Sequence, residues 1–444
     1  MGKWFGTDGV RGIANSELTP ELAFKIGRAG AYVLTGGNTN SRIAIGRDTR
    51  ISGGMLEAAL TAGICSVGVD VVKLGVLPTP AIAYLTRETE AVGGIVISAS
   101  HNPVEDNGIK FFGASGYKLS DEIEEQIEEI MTLSFSDLPA PTGASVGRIS
   151  LIEDALDRYV KYAKDSFDIS LYGLKIVVDC ANGAAFEAAP RIYGELGAEV
   201  IPIFNQPDGV NINDGCGSTH PETLMKAVVS EDADLGIAHD GDADRMLAVD
   251  AKGRLVDGDQ IMVACAGHMK EKGRLKENTV VVTVMSNLGL HKALRKAGIK
   301  VAETAVGDRY VLEEMLHIGA GYGGEQSGHV ISLEHNTTGD GIFTALQLLA
   351  VMKETGKPLH ELAAKMERFP QLLENVRVAD KDRVMRSQVL AQAIKDQEQV
   401  MAGAGRILVR ASGTEHLVRV MAEGKDMEQL KDVVNVLVNL VKEL

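Results

Sequence analysis

Hydrophobic and polar positions follow one pattern in three stretches of the chain. Each stretch has a short β-branched strand, a loop of small residues, an amphipathic helix, a glycine and a second strand. The first strands are predicted at residues 42–46, 175–179 and 279–283, and the glycine together with its second strand at residues 68–72, 197–201 and 298–301. A strand, helix and strand within about thirty residues predicts a crossover in a parallel or mixed sheet. The pattern therefore predicts an α/β fold class with three related mixed-sheet α/β domains, although generic α/β architecture could produce the same pattern.

The last part of the chain has a different pattern. Strands are predicted at residues 406–409 and 417–421, and a helix rich in Val and Leu from Met427 onward, which indicates a smaller C-terminal α+β domain. Because single hydrophobic cores stop growing at about 250–300 residues, a chain of 444 residues should be divided. Breaks in composition predict four domains, at residues 1–150, 151–253, 254–368 and 369–444.

The charge balance restricts the class of partner. Lys and Arg total 45 against 61 Asp and Glu, which gives a net charge of −16. Such a field repels nucleic acid and anionic membrane surfaces. A phosphorylated substrate would be repelled as well, so any anion site requires a local cluster of cationic groups or a bound cation.

The cysteines and the N-terminus predict a cytoplasmic protein. Cys65, Cys180, Cys216 and Cys265 are far apart and form no CxxC pair, which disfavours a zinc site and a disulfide framework. The first residues lack the apolar stretch of a signal peptide, and no segment reaches the ~18 apolar residues of a membrane span. Reduced thiols in the cytoplasm are the simplest interpretation.

Ser100 is a candidate nucleophile. It lies in a turn of small and polar residues directly after the predicted strand at residues 94–97, with His101 beside it and Lys110 ten residues later. Functional residues favour such loops at strand ends. The same residue types also build ordinary turns, so Ser100 needs partners elsewhere in the chain. No GxSxG motif surrounds it, which disfavours an esterase.

Three aspartates at alternate positions predict a metal site. Asp240, Asp242 and Asp244 follow the apolar strand at residues 235–238. Alternate residues of an extended segment face the same way, so their carboxylates can converge on one hard cation. An EF-hand is excluded because Arg245 stands where its glycine belongs and Ala251 where its glutamate belongs. A solvated acidic turn is the competing interpretation.

Two further loops carry groups suited to a phosphorylated sugar. Glu325 and Ser327 lie in a polar loop after a glycine-rich segment and could bind sugar hydroxyls. Glycine-rich loops often only allow the backbone to turn, which is the alternative interpretation. Residues 410–414 (Arg-Ala-Ser-Gly-Thr), with Arg419, offer guanidinium groups, hydroxyls and backbone N–H groups for an anion. A surface turn with scattered arginines is the alternative for the second loop.

These four motifs, in this order and one per predicted domain, resemble those of the α-D-phosphohexomutase superfamily over nearly the whole chain. Three segments resemble in particular the bacterial members that act on glucosamine phosphates: residues 5–12 (Phe-Gly-Thr-Asp-Gly-Val-Arg-Gly), residues 100–110 and residues 324–329 (Gly-Glu-Gln-Ser-Gly-His). The resemblance implies a four-domain enzyme that interconverts glucosamine 6-phosphate and glucosamine 1-phosphate through a sugar 1,6-bisphosphate. That reaction leads to UDP-N-acetylglucosamine and the bacterial cell wall.

The resemblance also implies a role for each candidate residue. Ser100 would be the phosphoserine, and one Mg²⁺ would be held by a phosphoseryl oxygen and by Asp240, Asp242 and Asp244. Lys110 would be the general acid or base, which requires a lowered pKa. The remaining catalytic residues would be His101 and Arg11, near Lys110, and Arg245, which would support the reacting phosphate. The substrate-binding residues would be Glu325 and Ser327 for sugar hydroxyls, and Arg410, Ser412, Gly413, Thr414 and Arg419 for the phosphate that is not transferred.

The last loop departs from the family pattern. The usual Arg-Pro-Ser-Gly-Thr-Glu-Pro has Ala411 and His416 in place of its two prolines. A loop without fixed φ angles is less pre-organised. We therefore expect that the double substitution Ala411→Pro and His416→Pro lowers KM for the substrate.

Three other functions stay open at this stage. A phosphoglucomutase or phosphomannomutase would share the same motifs. A metal-dependent sugar phosphatase would use an aspartate of the triplet as its nucleophile, and a sugar-phosphate sensor would carry out no chemistry. A homodimer through apolar faces of the first domain, and phosphorylation of Ser100 by a kinase or by the chain itself, are equally open.

Overall fold

The computed structural model describes residues 4–6, 8–133, 137–401, 403–412 and 417–444. The chain folds into two compact units. The first unit comprises Met1–Val284 with Lys300–Ala363, and the second comprises Met285–Ile299 with Ala364–Leu444. Within the described residues, the first unit contains three β-sheets and the second contains one.

The first sheet of the first unit has six strands in the order β1-β5-β4-β2-β3-β6. The strands are β1 (Val10–Ile13), β2 (Arg42–Arg47), β3 (Asp70–Val76), β4 (Gly93–Ile97), β5 (Asp106–Gly113) and β6 (Ile149–Leu151). The helices of this part are α1 (Pro20–Thr35), α2 (Ile51–Ser66), α3 (Thr79–Glu88) and α4 (Asp121–Thr132), with a short 3₁₀ turn at Gly143–Ser145. Apolar side chains of α1, α2 and strands β2 to β5 form one buried core.

The second sheet has five strands in the order β11-β10-β9-β7-β8. Its strands are β7 (Lys175–Asp179), β8 (Glu199–Ile203), β9 (Leu235–His239), β10 (Met246–Asp250) and β11 (Leu255–Val256). The helices are α5 (Ala155–Asp165), α6 (Ala185–Glu195) and α7 (Glu222–Ser230). Every residue of β9 and β10 is buried. Their sequences are accordingly apolar at successive positions, except for the last residue of each strand, and do not alternate between apolar and polar.

The third sheet has four strands in the order β13-β12-β14-β15. Its strands are β12 (Thr279–Thr283), β13 (Lys300–Thr304), β14 (Tyr322–Gly324) and β15 (Val330–Ser332). The helices in this stretch of chain are α8 (Gly258–Glu271), α9 (Leu288–Lys296), α10 (Asp308–Ile318), α11 (Gly341–Thr355) and α12 (Leu359–Ala363), with a 3₁₀ turn at Lys276–Asn278. Of these helices, α9 belongs to the second compact unit.

The three sheets share a four-strand core. The cores are β3-β2-β4-β5, β8-β7-β9-β10 and β13-β12-β14-β15. In each core the first three strands are parallel and the last is antiparallel. The predicted fold class, with mixed sheets in three related α/β domains, is confirmed. One turn recurs in all three cores, between the last parallel strand and the antiparallel strand, at residues 98–105, 240–245 and 325–329.

The second unit carries the fourth sheet. Its elements after α9 are β16 (Gln371–Arg377), α13 (Lys381–Met385), α14 (Gln388–Val400), β17 (Arg406–Ala411), β18 (Leu417–Glu423) and α15 (Met427–Glu443). The strands are antiparallel in the order β16-β18-β17. The apolar face of α15 buries Leu430, Val433, Val434 and Leu437 in the core of this unit. This agrees with the predicted C-terminal α+β fold.

The predicted domain boundaries at residues 150, 253 and 368 stay a prediction. The first boundary falls inside β6, which pairs with β3, so the Pro- and Gly-rich stretch before it leads into an edge strand of the first sheet. The second falls in the turn between β10 and β11, which pair with each other. A pattern of turn-forming residues marks the turn but not the strand that follows it.

Candidate functional site

The serine loop and the aspartate triplet lie in contact in the first unit. Ser100 Oγ donates a hydrogen bond of 2.6 Å to Asp240 Oδ2, and both residues are buried. The contact requires a glycine at position 241, because a Cβ there would lie 2.4 Å from the Ser100 carbonyl oxygen. Two of the recurring turns, from the first and second sheets, therefore meet at one place.

Buried polar groups hold Ser100 in its turn. The residue has a φ of 52°, in the left-handed region, and its backbone N–H donates to Ser98 Oγ at 3.0 Å. Its carbonyl oxygen accepts from Arg50 Nη2 at 3.0 Å and from Asn213 Nδ2 at 2.8 Å. The guanidinium of Arg50 is fully buried and pairs with Asp48, with Nε and Oδ2 separated by 2.9 Å. Such an over-determined conformation is typical of functional turns.

The aspartate triplet fits a divalent cation. One carboxylate oxygen from each of Asp240, Asp242 and Asp244 lies within 4.8 Å of the others, and all three residues are buried. Oδ1 of Asp242 and Oδ1 of Asp244 are buried without a hydrogen-bond partner among the described residues. Because a buried carboxylate oxygen is costly unless it is paired or coordinates a metal, these two atoms favour a bound cation. Oxygen ligands of this type suit Mg²⁺ and other hard divalent ions.

The pKa values of Asp240 and Asp242 are shifted in opposite directions. Burial and repulsion from Asp244 and Asp242 raise the pKa of Asp240 well above its ordinary value. Burial alone would also raise the pKa of Asp242, but the charge and hydrogen bond of Lys110 and the hydroxyl of Thr79 hold that pKa below its ordinary value. Thr79, the first residue of α3, donates its Oγ1 hydrogen to Asp242 Oδ2 at 2.8 Å. The charges of Asp244 and Asp242 thus repel the ionised form of Asp240.

Lys110 lies in β5 and points at the triplet. Its Nζ is 3.0 Å from Asp242 Oδ2 and 3.0 Å from Asp8 Oδ2. Burial alone would lower the pKa of Lys110, but these two carboxylates outweigh burial and raise the pKa well above its ordinary value. The expectation of a lowered pKa is therefore wrong for this arrangement. Lys110 carries its proton at neutral pH.

His101 and the two predicted arginines surround the same place. His101 Nδ1 lies 3.2 Å from Ser100 Oγ, and burial, together with the charges of Arg245 and Arg11, lowers its pKa to about 4. Arg11, in β1, pairs with Asp8 at 2.5 Å. The backbone N–H of Arg245 donates to Asp240 Oδ1 at 3.2 Å. His101 is thus neutral at pH 7 next to a hydroxyl, with two cations nearby.

The third recurring turn, which carries the predicted sugar-binding residues, adjoins the triplet. The N–H of Met246 donates to the carbonyl of Gly328 at 3.0 Å. Glu325 is half-buried, and its carboxylate accepts from Gly307 N at 3.2 Å and from Ser327 Oγ at 3.3 Å. Glu325 and Ser327 are thus held by each other and by a backbone N–H, in the same unit as Ser100.

The predicted phosphate loop lies in the second unit. Arg410 and Arg419 are direct cross-strand partners in β17 and β18. Residues directly opposite in a ladder lie on the same face of the sheet, so both arginine side chains leave the sheet on one face. Ser412 follows β17, and its carbonyl accepts from Lys381 Nζ at 2.6 Å. Gly413 and Thr414, as well as His416, lie outside the described residues.

The sequence interpretation missed several residues of the site. Asp8, Asp48, Arg50, Thr79 and His329 all contact the predicted residues or their loops. Asp48 follows β2 as Asp240 follows β9, so its place at the end of a buried strand could have identified it. Arg50 and Thr79 carry no such local signal, because their roles depend on contacts between distant segments.

The four cysteines are buried thiols. No helix among the described residues is both long enough and apolar enough to cross a membrane.

Four domains that are known from one protein family match successive parts of the chain. They are phosphoglucomutase/phosphomannomutase alpha/beta/alpha domain I at residues 2–136, domain II at residues 157–253, domain III at residues 257–369 and the C-terminal domain at residues 373–440. Together they cover most of the chain and follow the order of the four sheets.

Several known proteins are similar over the whole chain. Phosphoglucosamine mutase of Pelotomaculum thermopropionicum is 70% identical, and each chain is covered completely. Phosphoglucosamine mutase of Bacillus subtilis is 55% identical, with 100% of this chain and 99% of the other covered. A phosphoglucomutase/phosphomannomutase family protein of Burkholderia thailandensis, at 24% identity and 99% and 97% coverage, has a similar fold with a TM-score of 0.82. The chain belongs to the phosphoglucomutase/phosphomannomutase family of the α-D-phosphohexomutase superfamily.

Proposed function

We propose that the chain interconverts glucosamine 6-phosphate and glucosamine 1-phosphate, with Ser100 as the phosphate carrier. One observation carries the proposal: Ser100 Oγ lies 2.6 Å from Asp240 Oδ2, so a hydroxyl meets a set of metal-ligand carboxylates. The choice of sugar is supported by relatives at 55% to 70% identity over the full length, which are named phosphoglucosamine mutase. The amino-sugar route to the bacterial cell wall would use this product.

The reaction would proceed in two phosphoryl transfers. In the first, the bond from phosphorus to Ser100 Oγ breaks and a bond to the free hydroxyl oxygen of the sugar phosphate forms, which gives a sugar 1,6-bisphosphate. In the second, the bisphosphate has turned over, and its other phosphate returns to Ser100. Each transfer exchanges one proton between Ser100 Oγ and the sugar hydroxyl.

The neighbouring side chains could move these protons. When phosphate returns to Ser100, His101 Nδ1 would take the proton of Oγ, because the ring is neutral at pH 7 and 3.2 Å away. Lys110, which carries its proton, would then act as the acid toward the leaving sugar oxygen.

Charge stabilisation would come from the triplet and from arginine. A phosphate on Ser100 adds about two negative charges beside three buried carboxylates. One Mg²⁺, held by Asp240, Asp242, Asp244 and a phosphoseryl oxygen, would neutralise charge on the phosphoryl oxygens. Arg245, with Arg11, would support the reacting phosphate from the protein side.

The remaining predicted residues would hold the substrate. Glu325 and Ser327 would bind sugar hydroxyls. The phosphate that is not transferred would be bound by Arg410, Ser412, Gly413, Thr414 and Arg419, and the cross-strand pairing of Arg410 with Arg419 supports this assignment. We also propose the four domains at residues 1–150, 151–253, 254–368 and 369–444, and a cytoplasmic location.

The experiment that tests the carrier is phosphate incorporation measured by intact mass. The protein is incubated with glucose 1,6-bisphosphate and Mg²⁺, and one phosphate should appear on the chain. Ser100→Ala should take up none and should lose isomerase activity. If Ser100→Ala keeps its activity while Asp240→Asn loses covalent phosphate, the chain is instead a phosphatase with an aspartate nucleophile.

The choice of sugar is tested by comparing kcat/KM for the 6-phosphates of glucosamine, glucose and mannose. The value for glucosamine 6-phosphate should be the highest. A higher value for glucose or mannose would assign the chain to a phosphoglucomutase or phosphomannomutase activity. Absence of both isomerisation and phosphorylation in the wild-type protein would favour a sugar-phosphate sensor.

A further inference from the structure

Alternating charges form a continuous chain of contacts between the two sides of the candidate site. The members are buried or mostly buried side chains from five separate segments of the first unit. In order, they are Lys110, Asp8, Lys118, Asp308, His329 and Asp244. The proposed chemistry uses the two ends of this chain and leaves Lys118 and Asp308, its middle members, without a role.

Lys118 is the centre of this chain of charges. Its Nζ lies 2.6 Å from Asp8 Oδ1 and also pairs with Asp308 Oδ2, so one ammonium group joins two carboxylates. Its side chain is only 15% exposed. Burial alone would lower the pKa of Lys118, but the two carboxylates outweigh burial and raise it above its ordinary value. Lys118 is therefore charged and fixed between segments that are distant in sequence.

On one side, Lys118 acts on Asp8. Oδ2 of Asp8 is 3.0 Å from Lys110 Nζ and 2.5 Å from Arg11 Nη2, while Oδ1 faces Lys118. A carboxylate that is held from both oxygens cannot rotate without breaking an ion pair. Lys118 thus fixes the orientation in which Asp8 presents its other oxygen to Lys110 and Arg11.

On the other side, Asp308 acts on His329. Asp308 is the first residue of α10, and its Oδ2 lies 3.5 Å from His329 Nε2. The opposite ring nitrogen of His329, Nδ1, lies 3.5 Å from Asp244 Oδ2. A ring that is flanked by carboxylates at both nitrogens has a defined orientation. Asp308 thus sets the position of the ring against a carboxylate of the triplet.

Buried ion pairs add little to stability because desolvation offsets much of their attraction, but they hold charged atoms at fixed separations. Phosphoryl transfer depends on such separations, and a displacement of about 1 Å can cost ~100-fold in rate. We propose that Lys118 and Asp308 are positioning residues for the phosphoryl transfer. Lys118 holds Asp8 against Lys110 and Arg11, and Asp308 holds His329 against Asp244. This inference rests on the proposed function.

The test compares Lys118→Met and Asp308→Asn with the wild-type protein. For both variants we expect kcat for glucosamine 6-phosphate to fall by about 10- to 100-fold, with KM changed by less than about threefold, since neither residue is assigned to substrate. The rate at which glucose 1,6-bisphosphate phosphorylates Ser100, followed by intact mass, should fall by the same factor. Lys118→Arg, which keeps the cation, should recover part of the rate.

Arg309→Met is the matched control. Arg309 is the neighbour of Asp308 on α10, and its ion pairs run to Asp121 and Glu124 of α4, away from the chain of charges. The Arg309→Met variant should leave kcat unchanged while changing Tm as much as Lys118→Met and Asp308→Asn do. A fall in kcat equal to that of Lys118→Met would show a merely structural effect and overturn the inference.

The outcomes separate this inference from the function on which it rests. A wild-type protein that neither isomerises a sugar phosphate nor becomes phosphorylated overturns both. An active wild-type protein, together with Lys118→Met and Asp308→Asn variants of unchanged kcat, overturns only the positioning roles. If Lys118→Met does not fold, Lys118→Arg and Asp308→Asn decide the question, because both keep nearly the original volume.

Discussion

At the scale of residues, Glu124 shows how burial alters a titration outside the candidate site. Its side chain on α4 is 12% exposed and lies 3.6 Å from Arg309 Nη1. Burial, helped by the charges of Asp121 and Asp8, outweighs the attraction of Arg309 and Lys118 and raises the pKa of Glu124 to about 7. The folded protein therefore holds this proton more tightly than the unfolded chain does.

This shift predicts a pH dependence of stability. The protonated Glu124 carboxyl therefore contributes stability that is fully present below its unfolded pKa of about 4.3 and is lost as the pH rises through about 7. Glu124→Gln removes that loss, so its effect on the free energy of unfolding should be more favourable at pH 8 than at pH 5 by about 2 kcal/mol. Urea unfolding at both pH values measures it. A difference that does not change with pH would contradict the assignment.

Ala411 gives a second prediction at the residue scale. In the ladder of β17 and β18, the N–H of Ser412 donates to the Leu417 carbonyl at 2.8 Å. Because hydrogen-bonded pairs alternate in antiparallel strands, the N–H of Ala411 points away from β18. Since β17 is an edge strand, a proline there removes no ladder hydrogen bond.

Ala411→Pro alone should therefore fold normally and lower KM for the sugar phosphate by about two- to fivefold, through a smaller entropy loss on binding. Steady-state kinetics measures the effect. Val409→Pro is the matched control for the ladder, because its N–H also points away from β18, but it lies farther from the loop and should leave KM unchanged. A KM for Ala411→Pro that is unchanged or higher would contradict the idea that the missing proline loosens this loop.

At the residue scale, the sequence could predict which residues form the site but not their charge states. The aspartate triplet has a recognisable spacing, and the structure brings Ser100 into contact with it. The charge state of Lys110 could not be predicted, because it depends on Asp8 and Asp242, which come from distant parts of the chain. A pattern along the chain contains the residue types but not the distances between their charges.

At the scale of elements, each of the three related sheets carries candidate site residues in the same turn, which joins the last parallel strand to the antiparallel strand. The serine loop, the aspartate triplet and the Glu325 loop occupy this same position in three related sheets. Side chains at the ends of parallel strands gather at one edge of a sheet, so each sheet offers one loop. The triplet touches the serine loop through Asp240 and Ser100, and the Glu325 loop through Asp244 Oδ2, which lies 3.5 Å from His329 Nδ1.

This arrangement predicts that Gly241 is essential. Gly241→Ala should push the turn of the second sheet away from Ser100, since the new Cβ would lie 2.4 Å from the Ser100 carbonyl oxygen. We expect kcat to fall by about 100-fold or more, with little phosphate on Ser100 by intact mass. Gly194→Ala is the control: within the described residues nothing lies within 4 Å of its Cβ position, and as a helical substitution it should leave activity unchanged. Full activity of Gly241→Ala would contradict the close contact.

The strands themselves were largely predictable. The first strands at residues 175–179 and 279–283 have the predicted bounds, because β-branched runs bounded by turn residues are a strong signal. Each second strand begins two residues after the glycine that precedes it. The glycines at positions 68, 197 and 298 have φ values of 86°, 102° and 67°, so they belong to the turn before the strand. A local pattern does not separate the last turn residue from the first strand residue.

At the scale of the whole molecule, the compact units do not follow the order of the chain. Helix α9 lies between β12 and β13 in sequence but belongs to the second unit. Its first N–H, at Leu288, donates to the buried carboxylate of Glu423 at 2.7 Å, and Asn287 exchanges two hydrogen bonds with the backbone of Phe369. These contacts, made over long sequence separations, could not be predicted from a repeated strand–helix–strand pattern, which would assign α9 to the sheet of β12.

The assignment of α9 predicts which segments lose protection from hydrogen exchange together. Leu437 is fully buried in the core of the second unit, so Leu437→Ala should destabilise that unit by about 2–5 kcal/mol. Hydrogen exchange measured by mass spectrometry should become faster in β16, β17, β18 and α15, and also in α9, about 140 residues earlier in the chain. Exchange in β12 and β13 should not change, because cooperative units open separately.

Val436→Ala is the matched control, since it removes the neighbouring side chain on α15, which is 47% exposed, and should alter exchange little. Faster exchange of α9 in Leu437→Ala, with unchanged exchange in β12, would mean that a helix inside the third predicted domain takes its stability from the C-terminal unit. If α9 instead keeps its protection together with β12 and β13, its hydrogen bonds to Glu423 and Phe369 are too weak to join it to that unit. The domains would then follow the sequence, as the repeated strand and helix pattern predicts.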